Sequence, residues 1–253
     1  MIDTKPYIPL IIEASRDAGI KILEVYNSED FGVQTKKDDS PVTKADILAQ
    51  KAINEKLKTT DFPILGEEGK SIAYEERKDW ETFWLVDPLD GTKEFLKKNG
   101  EFTVNIALIH KNEPVLGVVF APTLDEIYFG GINHGAYKDE TMDREHKIKL
   151  VKNKTGVTRI ATSRSHINEE TRAYIQQFDD AKVVPMGSSL KFMLIADNEV
   201  DIYPRFGPTM EWDTGAAHAI LKALDLEVIN VETNKPLTYN KENLRNPNFI
   251  VKT

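Results

Sequence analysis

One stretch constrains this chain more than any other: Phe83-Trp84-Leu85-Val86-Asp87-Pro88-Leu89-Asp90-Gly91-Thr92. Its apolar opening is long enough for a buried strand, and it runs directly into two aspartates at i and i+3. Lys93-Glu94-Phe95-Leu96-Lys97-Lys98 then reads as a short helix beginning at Gly91 or Thr92. Both carboxylates therefore sit where a strand leaves the core. Pro88 has a fixed φ and no N–H, which stiffens the turn. Asp87, the Leu89 carbonyl and Asp90 can then converge on one small volume. Hard oxygen donors of this kind suit Mg²⁺. The free N–H groups of a helix start suit an anion such as phosphate. The stretch predicts a metal site beside a phosphate site.

The bulk of the sequence limits the partners. Lys plus Arg total 33 against 41 Asp plus Glu, a formal charge of −8 over 253 residues. That balance argues against nucleic acid or an anionic membrane as the main partner. A small anionic substrate stays open if bound cations reverse the sign locally. With no cysteine, disulfides, zinc–thiolate sites and thiol catalysis are excluded. No apolar run approaches the roughly 18 residues of a membrane span, and Met1-Ile2-Asp3-Thr4-Lys5-Pro6 lacks the pattern of a signal peptide. The expectation is a cytoplasmic location, with peripheral inner-membrane association left open, no integral membrane segment, and a monomer or homodimer.

Periodicity divides the chain at about residue 150. Residues 7–27 carry apolar positions at helical spacing, and a second helix spans about 43–58. Val33 to Pro41 resembles a strand and a turn. Phe102–Ile109, Val115–Phe120, Glu126–Phe129 and Gly135–Tyr137 are separated by hairpin-length turns, which implies an antiparallel sheet. Lys138 to Lys147 is the expected crossing into a second unit. Strands at 158–162, 182–185, 200–203, 226–229 and 249–251 alternate with helices at 169–178, 189–197 and 214–223, an α/β pattern. Asn168 is a suitable N-cap for the first of these helices. The expected domains are 1–150, α+β and metal-binding, and 151–253, α/β.

Five acidic residues share a strand-end or helix-start context: Asp46, Glu67, Asp87, Asp90 and Asp213. A single Asp at a helix start is commonly only a cap. Should the five meet, however, two carboxylates about 4 Å apart repel by roughly 4 kcal/mol at an effective dielectric near 20. Five would need cations. Two or three Mg²⁺ ions would convert an anion-repelling pocket into an anion-binding one, activate a water and clamp the reacting oxygens. Other aspartate-rich sites fail on spacing. An EF-hand loop needs acidic positions at alternate residues. Phosphatases that form an aspartyl-phosphate have one residue between their aspartates, whereas two separate Asp87 from Asp90.

Gly66-Glu67-Glu68, Trp84 to Thr92 and Trp212-Asp213-Thr214-Gly215-Ala216-Ala217 together resemble the inositol monophosphatase superfamily of Mg²⁺-dependent, lithium-sensitive phosphatases. Thr162-Ser163-Arg164-Ser165-His166, Gly187-Ser188-Ser189-Leu190-Lys191-Phe192 and Tyr203-Pro204-Arg205-Phe206-Gly207-Pro208 are similar to its bacterial 3′(2′),5′-bisphosphate nucleotidase branch, the CysQ type. One position departs: that branch carries Ser where Gly66 stands, a position without a ligand role. The resemblance implies a layered αβαβα sandwich of the sugar-phosphatase type, with an antiparallel sheet in the first half and a mixed sheet in the second. It implies hydrolysis of adenosine 3′,5′-bisphosphate to AMP and phosphate, action on the sulfated relative 3′-phosphoadenosine 5′-phosphosulfate, and a role in recycling a by-product of sulfate activation.

The resemblance also carries site roles. Glu67, Asp87, Asp90, Asp213 and the Leu89 carbonyl match metal ligands. Asp46 and Thr92 match a water-activating pair, with Glu67 counted beside them as catalytic. The Gly91 and Thr92 N–H groups match a grip on the scissile phosphate, and His166, Ser188, Lys191 and Arg205 a grip on the nucleotide and its second phosphate. Read without the resemblance, Lys191 at a helix start opposes the dipole and calls for a nearby anion. Arg205 lies in a Pro-rich loop and offers a fork donor to phosphate. The implied mechanism is direct attack of a metal-activated water on phosphorus, with no phosphoenzyme. Alternatives are inositol monophosphatase or fructose 1,6-bisphosphatase activity within the superfamily, and, from another class, a non-catalytic Mg²⁺ or nucleotide sensor. Asp90→Asn is expected to lower kcat by orders of magnitude with the fold intact; near-normal turnover, with circular dichroism confirming folding, would remove Asp90 from the ligand set.

Overall fold

The computed structural model of the chain describes residues 2–35, 41–139, 145–151, 156–165 and 167–253. A 3-10 turn at Lys5–Tyr7 leads into helix α1 (Ile8–Tyr26). A two-strand ribbon, β1 (Gln34–Thr35) and β2 (Pro41–Val42), precedes α2 (Lys44–Leu57). There follow β3 (Ile64–Gly66), α3 (Tyr74–Arg77), β4 (Thr82–Asp90), α4 (Thr92–Leu96), β5 (Thr103–His110), β6 (Glu113–Ala121), β7 (Glu126–Gly131), β8 (Gly135–Asp139) and β9 (Glu145–Lys147). The rest of the chain forms β10 (Thr158–Ser163), α5 (Glu169–Ile175), β11 (Ala181–Met186), α6 (Leu190–Ala196), β12 (Ile202–Arg205), a 3-10 turn at Glu211–Asp213, α7 (Gly215–Lys222), β13 (Ile229–Asn230) and β14 (Phe249–Lys252).

Strands β3 to β9 make one sheet in sequence order, antiparallel except where β3 runs parallel to β4 at the edge. The second sheet, ordered β11-β10-β12-β14-β13, is mixed. Side-chain alternation assigns the layers. Trp84 and Val86 of β4, with Val104, Ile106 and Leu108 of β5, pack toward α1 and α2. Phe83, Leu85, Ala107 and Ile109 pack toward α6 and α7 and, through them, toward Tyr203, Phe249 and Val251 of the second sheet. On the outer face of that sheet Lys252 lies over the Tyr174 ring of α5. The order is helices, sheet, helices, sheet, helix: the expected αβαβα sandwich.

Four local expectations are corrected. Asp87 and Asp90 do not follow the strand as a turn; β4 continues through both, and its register against β5 shifts between Asp87 and Asp90. A β-bulge, rather than a proline turn, therefore aims the second carboxylate. The strand expected at 200–203 begins at Ile202, because Glu199 and Val200 donate back to the Leu194 carbonyl to close α6. The strand expected at 226–229 begins at Ile229, because Leu226 donates to the Leu221 carbonyl to close α7. The segment 138–147 is not only a crossing: Lys138 and Asp139 end β8, and 145–147 add a seventh strand. Residues 140–144 within it, and 36–40 of the expected strand and turn, lie outside the described residues.

The two inner layers approach closely at Gly117 of β6. A Cβ there would stand 2.2 Å from the Ala216 carbonyl oxygen of α7, a backbone atom that cannot rotate away. Gly117→Ala is expected to destabilise the chain by about 1–3 kcal/mol in urea unfolding; an unchanged midpoint would show that α7 is free to slide.

Candidate active site

Glu67, Asp87 and Asp213 come from three elements. Glu67 follows β3, two residues beyond the inward-packed Leu65, and its N–H donates to the Val86 carbonyl. Asp87 lies on the same face of β4 as Phe83 and Leu85, and is 1% exposed. Asp213 closes the 3-10 turn ahead of α7, where Met210 N–H donates to its Oδ2 at 2.9 Å. Each of the three places a carboxylate oxygen within 4.8 Å of the others. Asp90 borders the same cleft of about 600 Å³, along with Leu89, Gly91 and Thr92.

Burial raises the Asp87 carboxyl well above the ordinary range, and Glu67, Asp90 and Asp213 raise it further. Asp213 rises for the same two reasons, burial first and then Asp90. Asp90 is pushed up to about 6 by burial, against the pull of Lys191. A cluster of this kind is stable as neutral acids or as carboxylates around a cation, because uncompensated buried charge is costly. The three carboxylates form an all-oxygen donor set that fits a hard divalent ion, and Leu89 lines the same cleft.

Asp46 stands at the third position of α2 and closes a capping box. Its Oδ2 accepts from Thr43 N–H at 2.7 Å and from Thr43 Oγ1 at 2.6 Å. Its Oδ1 accepts from Thr92 Oγ1 at 3.3 Å. One carboxylate thus caps α2 and reaches the first residue of α4. The Thr92 hydroxyl is also 3.4 Å from the Leu89 carbonyl. Gly91, the N-cap of α4, has φ of 95°, a left-handed conformation that glycine adopts without strain.

The second sheet supplies the opposite wall. Lys191, in the first turn of α6, is 5% exposed. Its Nζ donates to the Met186 carbonyl at 3.3 Å and to the Ser188 carbonyl. Burial lowers its pKa to about 8, and Asp90 opposes that shift. Asp90 is the anion its helix-start position called for. Arg205, at the end of β12, donates to the Pro208 carbonyl at 3.0 Å through Nη2, while its buried Nε has no hydrogen-bond partner among the described residues. Ser188 has φ of 43°, the kind of backbone strain that clusters at functional sites. The cleft therefore gathers Glu67, Asp87, Leu89, Asp90, Gly91, Thr92 and Asp213 opposite Ser188, Lys191 and Arg205, with Asp46 reaching it through Thr92. His166 lies outside the described residues.

Sequence reasoning missed the residues that brace this cleft. Thr103 Oγ1 lies 2.8 Å from Ser189 Oγ, and Ser189 Oγ donates to Asn105 Oδ1 at 2.7 Å. Glu101 accepts Gly187 N–H at 2.8 Å and accepts from Arg164 Nε and Nη2, both at 2.6 Å. A signal existed in Phe102-Thr103-Val104-Asn105-Ile106, where polar residues occupy alternate positions of an otherwise apolar strand.

Comparison with known proteins decides the kinship. The model of the inositol monophosphatase family matches residues 3–251. The chain belongs to that family. It is 44% identical over 245 residues to the 3′(2′),5′-bisphosphate nucleotidase CysQ of Salmonella typhimurium, covering 95% of this chain and 97% of that protein. It is 37% identical over 238 residues to CysQ of Haemophilus influenzae, covering 91% and 87%. The crystal structure of CysQ from Bacteroides thetaiotaomicron, described as a bacterial member of the family, matches with a TM-score of 0.88 at 42% identity over 96% of this chain and 95% of that one. An inositol monophosphatase of Thermotoga maritima shares the family fold at 22% identity, with a TM-score of 0.81 over 98% and 92%. Among the described residues no helix is long and apolar enough to cross a membrane.

The raised acids set a pH dependence for metal-stripped protein. A carboxyl whose folded pKa exceeds its unfolded value near 4 stabilises the fold below pH 4 and ceases to do so as pH rises through the folded pKa. With Asp90 at about 6 and Asp87 and Asp213 raised well above 4, the contribution of these residues falls between pH 4 and beyond 6. The melting-temperature gain on adding Mg²⁺ to chelator-treated protein is therefore expected to be larger at pH 8 than at pH 5. Equal gains at both would contradict an ionisable metal site.

Proposed function

We propose that this chain is a Mg²⁺-dependent 3′(2′),5′-bisphosphate nucleotidase that removes the 3′-phosphate of adenosine 3′,5′-bisphosphate, with 3′-phosphoadenosine 5′-phosphosulfate as a second substrate. The observation that carries the reading is the pairing, within one cleft, of a carboxylate cluster with Lys191 and Arg205 on the facing wall. A bisphosphate nucleotide presents two anionic groups, and this cleft offers two ways to hold one: a cation among carboxylates, and fixed basic side chains. A polyol monophosphate would use only the first. The similarity to CysQ 3′(2′),5′-bisphosphate nucleotidases supports the same choice.

Glu67, Asp87, Asp90, Asp213 and the Leu89 carbonyl would hold two or three Mg²⁺ ions. When bound, these would neutralise the carboxylates, acidify a water and stabilise charge on the transferring phosphoryl group. The chain's own residues supply orientation and proton handling. The Thr92 hydroxyl donates to Asp46, which leaves its oxygen lone pairs to position the attacking water and gives the proton of that water a path toward the Asp46 carboxylate. Burial raises the Asp46 pKa and the two bonds from Thr43 counter it, so the carboxylate is both basic and fixed in place. The Gly91 and Thr92 N–H groups face the phosphate, while Ser188, Lys191, Arg205 and His166 hold the nucleotide and its second phosphate. We assign residues 1–150 and 151–253 to two units that both contribute to the cleft, the second supplying Asp213 to the acids as well as Ser188, Lys191 and Arg205 to the facing wall, and place the enzyme in the cytoplasm.

Phosphate release should be faster from adenosine 3′,5′-bisphosphate than from inositol 1-phosphate. Arg205→Ala is expected to raise KM for the nucleotide about tenfold or more, the worth of one charge-assisted hydrogen bond, and to leave turnover of inositol 1-phosphate near that of the unmodified enzyme. Preference for inositol 1-phosphate, or equal loss on both substrates, would contradict the assignment.

A further inference from the structure

Asn105 is an amide in the middle of the apolar strand β5, and it is 1% exposed. Its chain neighbours Val104 and Ile106 pack toward α1 and α2. Asn105 itself projects from the other face, with Ala107 on its own strand and Asp87 directly across the ladder. Residues opposed in an antiparallel pair hold their Cβ atoms roughly 4.5–5.5 Å apart. The 3-10 turn bearing Asp213 also packs on β4 and β5, so the amide stands next to the elements carrying two of the clustered carboxylates.

The two ends of this amide differ. Oδ1 is committed, accepting from Ser189 Oγ at 2.7 Å, with Ser189 Oγ in turn 2.8 Å from Thr103 Oγ1. That bond fixes the amide's rotation and turns Nδ2 away from Ser189. Nδ2 is buried and has no hydrogen-bond partner among the described residues. An amide nitrogen brings two donors, and buried donors are almost always satisfied. On this face the residue directly opposite is Asp87, a member of the acidic cluster.

We infer that Asn105 is a positioning residue of the metal centre, its Nδ2–H groups donating to the oxygen shell around a cation held by Glu67, Asp87 and Asp213. The inference rests on the metal reading of that cluster. Ser189 acts through Asn105. By anchoring Oδ1, it makes a hydroxyl of the second half responsible for the orientation of a donor in the first.

The test is isothermal titration of the full chain with Mg²⁺ alone, without nucleotide, for the unmodified protein, Asn105→Ala and Ser189→Ala. Removing a residue that orients a metal's ligands commonly weakens the metal by 10–100-fold. Asn105→Ala is expected to bind Mg²⁺ at least tenfold more weakly, and Ser189→Ala more weakly by a smaller factor. Melting in chelator gives the second readout. A purely structural amide would lower the melting temperature of the metal-free variants and leave Mg²⁺ affinity unchanged, and that result would overturn the inference. If Asn105→Ala does not fold, unchanged affinity in Ser189→Ala overturns it alone. Unmodified protein that binds no Mg²⁺ would instead overturn the metal reading, and this inference with it, a result distinguishable from the others.

Discussion

Mutual repulsion among clustered carboxylates, with Asp87 buried and Glu67 and Asp213 half-buried, is the constraint on which the rest of the molecule depends. Glu67, Asp87 and Asp213 bring oxygens within 4.8 Å of one another, and their elements meet only because the sandwich is folded. Neutral acids or a bound cation would relieve the cluster, and at neutral pH the cation is the productive solution. The fold therefore holds together residues that would separate on their own. The stability for this comes from the apolar layers, with Phe83, Leu85, Ala107 and Ile109 packed beneath the site against α6 and α7.

The mixed sheet is more than a scaffold for the seven-stranded one. Its loop at Gly187 to Ser189 is drawn onto β5 and the Glu101 loop by the Ser189–Asn105 and Gly187–Glu101 bonds, and Glu101 also holds Arg164. These polar contacts place Lys191 and Arg205 across a cleft from the acids. Opposite charges facing each other over about 600 Å³ suit an elongated anionic ligand bound at both ends. The same arrangement suppresses the pKa of Lys191 less than burial alone would, because Asp90 faces it.

Much of this was legible in the sequence for identifiable reasons. An apolar run ending in Asp-Pro-Leu-Asp-Gly-Thr marks both a buried strand and a site, and the periodicities of 3.6 and 2 separate the outer helices from the first sheet. The bulge between Asp87 and Asp90 was not legible, because register depends on the partner strand and not on local composition. Nor were the starts of β12 and β13. The chain leaves α6 and α7 through left-handed residues, Asn198 with φ of 60° and Asp225 with φ of 61°, where the usual glycine signal is missing. Asn105 and Ser189 escaped notice because a polar residue in a strand gains meaning only once its neighbours in space are known.

The claim that a cation is held jointly by both halves of the chain is tested most directly by anomalous diffraction from crystals grown with Mn²⁺ in place of Mg²⁺. Anomalous peaks are expected within coordination distance of the Glu67, Asp87 and Asp213 carboxylates and of Asp90. Crystals saturated with Mn²⁺ that show no peak among these residues, or peaks bound to one half alone, would contradict it.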